Sequence, residues 1–152
     1  MRPGLFLLAL VLAACGQPTL AQAPEMAELS PQAKLSGHVR EAIANHDRDM
    51  IFAHVKWDGV REEHREIFRD FVSVLVEQPI EGVVLEPLGP GHEPFEHNGL
   101  TYAKNGNALG QVTIIFTMEN PSESESLHWP YGIEDGEAVI LLDAPVPGDA
   151  AG

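Results

Sequence analysis

The side chains of this chain that could do chemistry are mostly histidines and acids: seven histidines among 152 residues, with 23 Asp and Glu. The run His92-Glu93-Pro94-Phe95-Glu96-His97 resembles HExxH and HxxEH zinc-protease motifs but has the spacing of neither. Pro94 also forbids the helix that would bring two histidines to one face. The segment therefore reads as an exposed polar loop, with His92 and His97 as weak candidates for a divalent metal. His38, His46 and His54 recur at intervals of eight, but the polar break Asn45-His46-Asp47 spoils their alignment, so a shared metal is not expected. His64 lies on the apolar side of a helical pattern, where a carbonyl-bonded imidazole at the core edge is the ordinary outcome and a general base the sharper one. In Leu127-His128-Trp129-Pro130-Tyr131-Gly132 the odd positions share one strand face and His128 takes the other. His64, His128 and Tyr131 are thus weak acid/base candidates. Trp57, Tyr102, Trp129 and Tyr131 are candidate walls of a ligand pocket, although aromatic core packing explains them as well.

No GxSxG, P-loop, dinucleotide fingerprint or EF-hand loop is present, so catalysis has no signature and no cofactor is expected. Carboxylate pairs abound, but in so acidic a chain proximity needs no purpose.

The opening residues speak about compartment. Met1–Ala14 hold Arg2, the apolar run Leu5–Leu12, and small residues leading to Cys15, the only cysteine. A run this short cannot span a bilayer and reads as the core of an export signal. Leu12-Ala13-Ala14-Cys15 resembles the lipobox of bacterial lipoproteins. That resemblance implies that Cys15 becomes the N-terminus and carries acyl chains, which together anchor a protein stably. Gly16, not aspartate, follows it, so the resemblance implies outer-membrane delivery facing the periplasm. Loss of residues 1–14, charged only at Arg2, would take the net charge from −14 to −15. Such a surface opposes nucleic acid and favours solubility or basic partners. With Cys15 acylated no thiol remains for a disulfide or a zinc–thiolate site.

The expected layout is a signal peptide over 1–14, a lipidated tether over 15–29, one domain over 30–143 and a disordered tail over 144–152. Within the domain, Ser30-Pro31 is a helix start, and Leu35, Val39, Ala42 and Ile43 form a stripe. Asp47 can cap a short helix bearing Met50, Ile51 and Val55. The strongest helical pattern is Val60–Val76, with Val60, His64, Ile67, Phe68, Phe71, Val72 and Leu75 on one side and Asp58 as its expected N-cap. After Gln78-Pro79 the period changes from 3.6 to 2. Strands are expected at Ile80–Leu85, Gly99–Ala103, Gly110–Met118, Leu127–Ile133 and Ala138–Leu142. Gly89–Asn98 is expected as a loop. Lys104-Asn105-Gly106-Asn107 and Glu134-Asp135-Gly136-Glu137 are expected as hairpin turns.

Helices followed by strands predict an α+β fold: two to three N-terminal helices on a four- to five-stranded antiparallel meander, with Val60–Val76 lying across Val112, Ile114, Phe116 and Met118. This order, with the break at Asn45-His46-Asp47 before Met50-Ile51, is similar to the NTF2-like superfamily, whose members include enzymes, binding modules and assembly domains. The leading expectation is a lipid-anchored binding or interaction module with a protein or small-molecule partner. The alternatives are a small enzyme or ligand-binder with a helix–sheet cavity, and a weak metal-binding envelope protein.

Overall fold

A computed structural model describes residues 29–148. The signal peptide, Cys15, nearly all of the tether and residues 149–152 lie outside the described residues. The fold is α+β, with three helices packed on a four-stranded antiparallel sheet and a second, three-stranded sheet beside it.

Helix α1 spans Pro31–Ala44, with Pro31 in its first turn and the Ser30 hydroxyl accepting the Ala33 N–H at 3.3 Å. Its stripe of Leu35, Val39, Ala42 and Ile43 is wholly buried. Asp47 caps the short helix α2 (Arg48–Phe52) by accepting the Met50 N–H at 3.2 Å. Val55 lies past its end and bridges to Ile140. Helix α3 spans Glu62–Leu75, and its N-cap is Arg61, not Asp58. Asp58 is instead spent in the turn before Gly59, which takes φ +74°. Arg65 ties the helix start down by donating to the carbonyls of Val60 and Trp57, each at 2.9 Å. Glu62 and Glu63 suit the positive end of the helix dipole.

The main sheet runs β1 (Ile80–Glu86), β4 (Gly110–Phe116), β5 (Ser126–Glu134) and β6 (Glu137–Ile140), every neighbouring pair antiparallel. β2 (Phe95–His97), β3 (Leu100–Lys104) and β7 (Asp143–Pro145) form the second sheet in the order β2-β3-β7. Asp135 and Gly136, at φ +49° and +81°, turn β5 into β6 as expected. The other expected hairpin is not formed. Both edges of β4 are occupied, by β1 and β5, which leaves none for β3. β3 pairs with β2 through Asn98-Gly99, at φ +52° and +75°, so the expected loop Gly89–Asn98 ends in a strand. Asn105 does other work: its side chain donates to the Lys56 carbonyl at 2.8 Å and accepts the Leu142 N–H at 3.0 Å. Ala144 and Pro145, expected in the tail, pair with β3, and the Val146 N–H reaches the Thr101 carbonyl at 2.8 Å.

The core lies between α1 and the face of the main sheet carrying Val83, Val112, Ile114, Trp129 and Ile140. α1, rather than α3, is the helix whose backbone approaches that sheet, over β1 and β6. α3 sends Val72, Leu75 and Phe68 inward from the side. Arg40 of α1 donates to the Val83 carbonyl of edge strand β1 at 2.8 Å. This occupies a backbone acceptor that an exposed edge would otherwise offer.

His38 on α1 and His54 after α2 stack with ring centroids 4.5 Å apart. Burial first, and the neighbouring His38 second, lower the His54 pKa from 6.5, against a smaller opposing effect of Glu137. A histidine that binds its proton less readily when folded weakens the fold once the unfolded chain begins to protonate. Stability should therefore fall as pH drops below about 6.5, levelling only below the folded-state value. Urea denaturation between pH 7.5 and 5 should show that fall, and His54→Gln should flatten it. An unchanged slope would assign the acid sensitivity elsewhere.

Candidate functional site

The inward-turned half of the α3 stripe is core, while the other half remains open. Ile67 is 66% exposed and Phe71 43%, because α3 stands beside the main sheet instead of across it. These residues, with Val60, His64 and Phe68, form one wall of a groove whose other wall is Phe95 of β2 with Leu142 and Asp143 at the start of β7. Its volume is about 360 Å³, within the range of small-ligand clefts.

The groove is supported from beneath. Phe95, 45% exposed, stacks on buried Tyr102 at 5.5 Å and 12°. The Tyr102 hydroxyl accepts from Arg61 Nη1 at 3.3 Å, and this bond raises the Arg61 pKa further. The His64 ring lies 5.2 Å from that of Tyr102. Phe68 rests on Trp129 at 5.5 Å and on Trp57 at 5.8 Å. Trp57 is held by its Nε1 donating to the Phe52 carbonyl at 3.2 Å, and the Arg69 guanidinium covers its ring at 5.2 Å. Asp143, the one acid in the lining, accepts from Lys104 Nζ at 2.7 Å and so presents little free charge. The groove offers apolar walls and a single imidazole able to exchange one hydrogen bond.

A second constellation stands on the opposite face of the main sheet. Gln111 and Thr113 alternate with the core residues of β4, yet are only 5% and 3% exposed. Thr113 donates to Glu86, and Gln111 Nε2 does so at 3.3 Å. These two bonds, Thr113 first, hold the Glu86 carboxyl below its ordinary pKa. His128 Nδ1 lies 2.9 Å from Thr113 Oγ1 and 3.0 Å from Gln111 Nε2, while its Nε2 meets Ser126 Oγ at 3.1 Å. Gln111 Oε1 accepts from the Gly89 N–H at 3.0 Å and lies 3.2 Å from His92 Nε2. Its polar groups are mutually satisfied, which makes it a brace for the 89–92 loop. Ser126 and His128 have the separation of a nucleophile and base, but both stand on exposed strand surface. The Glu86 carboxylate is 3.8 Å from His128 Nδ1.

The structure thus separates the three acid/base candidates. His64 is in the groove, His128 is in the outer brace, and Tyr131 packs over Gly110 beneath β4. Of the four aromatic candidates, Trp57 and Trp129 meet on Phe68 and Tyr102 backs Phe95, so three support the groove without lining it. His92 joins the brace, whereas His97 sits beside Asn98, whose side-chain nitrogen is 3.1 Å from its Nε2. Among the described residues no group of three His, Cys, Asp or Glu is placed to hold a metal ion. Of the lining only His64 is a site candidate by sequence: Val60, Ile67, Phe68 and Phe71 are expected as the apolar stripe of a helix, and Phe95, Leu142 and Asp143 carry no site expectation. The Asn98-Gly99 turn was the signal that would have placed Phe95 on a strand.

No protein-family model and no curated protein matches this chain. Among solved structures it is similar to a designed NTF2-like protein, at a TM-score of 0.38 and 15% identity, over 76% of this chain and 96% of that one. A likeness of that size carries no argument about function, which rests on the groove itself.

Proposed function

We propose that the protein is an exported, lipid-anchored binding module that seats an apolar group of its ligand in the α3–β2–β7 groove. The observation that carries this reading is the groove lining: Ile67, Phe71 and Phe95 are left open together, around a cleft with one imidazole and an ion-paired acid. Large apolar side chains that converge in the open mark binding surface more often than chance exposure. A lone histidine without a located nucleophile favours holding over turnover. The lipobox-like Leu12-Ala13-Ala14-Cys15 supplies the anchor in this reading.

Titration of the chain from residue 16 onward with the neutral dye Nile red tests the groove. The core cluster runs from Leu35 to Ile140, so that segment contains it entire. Saturable micromolar binding is expected, weakened at least tenfold by Ile67→Glu and unchanged by Val84→Glu, an exposed apolar site on β1 outside the groove. Equal affinity in both variants, or no saturation, would overturn the groove. For the anchor, Cys15→Ala should abolish incorporation of labelled palmitate in a bacterial host, and persistent labelling would refute it.

A further inference from the structure

We infer that the natural occupant of this groove is a basic amphipathic helix of a partner protein; the inference rests on the binding-module reading and names the partner's chemistry. α3 continues the groove along the molecule: Ile67, Phe71 and Val74, spaced i, i+4 and i+7, form one open apolar line, Val74 being 61% exposed. Glu63, Glu66 and Asp70 run beside it at the same helical pitch and are all exposed. Among the described residues Glu66 and Asp70 take part in no ion pair, and Glu63 is paired only with Arg61 at 3.1 Å.

The arginines within α3 do not neutralise Glu66 or Asp70. Arg65 is turned to the carbonyls of Trp57 and Val60, and Arg69 lies over Trp57 with its charge on Glu62. The result is an apolar line with an acidic border on one side and the Phe68–Phe95 cleft on the other. A helix docking in a groove reads out at i, i+3, i+4 and i+7. Lysines or arginines beside such anchors would meet Glu66 and Asp70, which steers encounter and fixes register.

The other occupants fit less well. A second copy would bring the same rim and, without residues 1–14, a net charge of −15 against its twin. An anionic bilayer surface would be repelled by the same acids. A neutral small molecule would leave the rim unused.

The test uses the chain from residue 16 onward and the synthetic amphipathic peptide LKKLLKLLKKLLKL, followed by fluorescence anisotropy. The expected result is saturable binding that weakens at least tenfold in Glu66→Lys/Asp70→Lys and on raising salt from 20 to 300 mM. Nile red affinity should stay unchanged in that double variant, whose two sites are exposed, and the analogue with glutamate for lysine should bind at least tenfold more weakly. Equal binding of the two peptides, or of wild type and the double variant, would overturn the inference. So would Nile red binding with no peptide binding, or a dimer in sedimentation that Ile67→Glu dissolves, while leaving the groove in place. Failure of both dye and peptide would take the binding module with it.

Discussion

Leu35→Ala will cost the fold about 2–5 kcal/mol, whereas Ile67→Ala will cost less than about 0.5 kcal/mol. Both residues sit on the apolar stripe of an amphipathic helix, and α3 is the more strongly amphipathic of the two by pattern. The difference lies in what each helix faces. Leu35 is 1% exposed and belongs to the cluster joining α1 to β1 and β6, so truncation leaves a void that close-packed neighbours fill only in part. Ile67 faces the groove and gives up little buried area when cut back. Urea unfolding of both variants gives the comparison directly. Similar losses would mean that α3 at Ile67 closes the core as fully as α1 does, and the groove would then be filled space.

Gly132→Ala is expected to cost about 1–3 kcal/mol, since overpacking a tight site forces backbone to move. A Cβ at Gly132 would lie 2.7 Å from the Asn107 carbonyl oxygen, a backbone atom that cannot swing aside, and 3.4 Å from Leu141. The Asn107 region is fixed in turn by the Asn105 bonds to Lys56 and Leu142 and by the Leu109 N–H on the Tyr131 carbonyl at 2.9 Å. Gly82→Ala is the control. No atom comes within 4 Å of its Cβ, and the change should lie within about 1 kcal/mol of wild type, on the stabilising side through the unfolded chain. Matching midpoints for the two variants would show that the 105–109 segment gives way despite these bonds.

The helices were readable because their signals are local. Ser30-Pro31 and Asp47 cap where their chemistry says they should, and the Leu35–Ile43 spacing marks the buried face of α1. Asp135-Gly136 was readable for the same reason, since two left-handed residues between alternating runs define a hairpin. Pairing of distant strands left no such trace. Lys104–Asn107 and Asn98-Gly99 both contain an Asn-Gly step, and only the vacancy of β4's edges decides which one turns a hairpin. The groove was illegible for a related reason. A stripe of seven apolar or aromatic positions from Val60 to Leu75 does not say how much of it a sheet will cover, and the cover depends on α1 taking the sheet. His64 lies on that stripe as expected, but Phe95 and the adjacent Leu142 and Asp143 reach it from two separate chain segments only through the β2–β3–β7 pairing.

The same geometry places His92, a metal candidate with His97, and His128, an acid/base candidate with His64 and Tyr131, on one amide. Alternation along β4 sends Gln111 and Thr113 to the outer face, and the two histidines are drawn to the same amide instead of to an open cleft. The brace shapes the 89–92 loop.

The central claim is that ligands bind between α3 and the second sheet, and amide chemical-shift mapping of the chain from residue 16 onward tests it most directly. On titration with Nile red or the basic peptide, the largest shifts are expected at His64, Ile67, Phe68, Phe71, Phe95, Leu142 and Asp143. Shifts concentrated instead at Glu86, Gln111, Thr113 and His128 would move the site to the opposite face of the sheet and contradict the account.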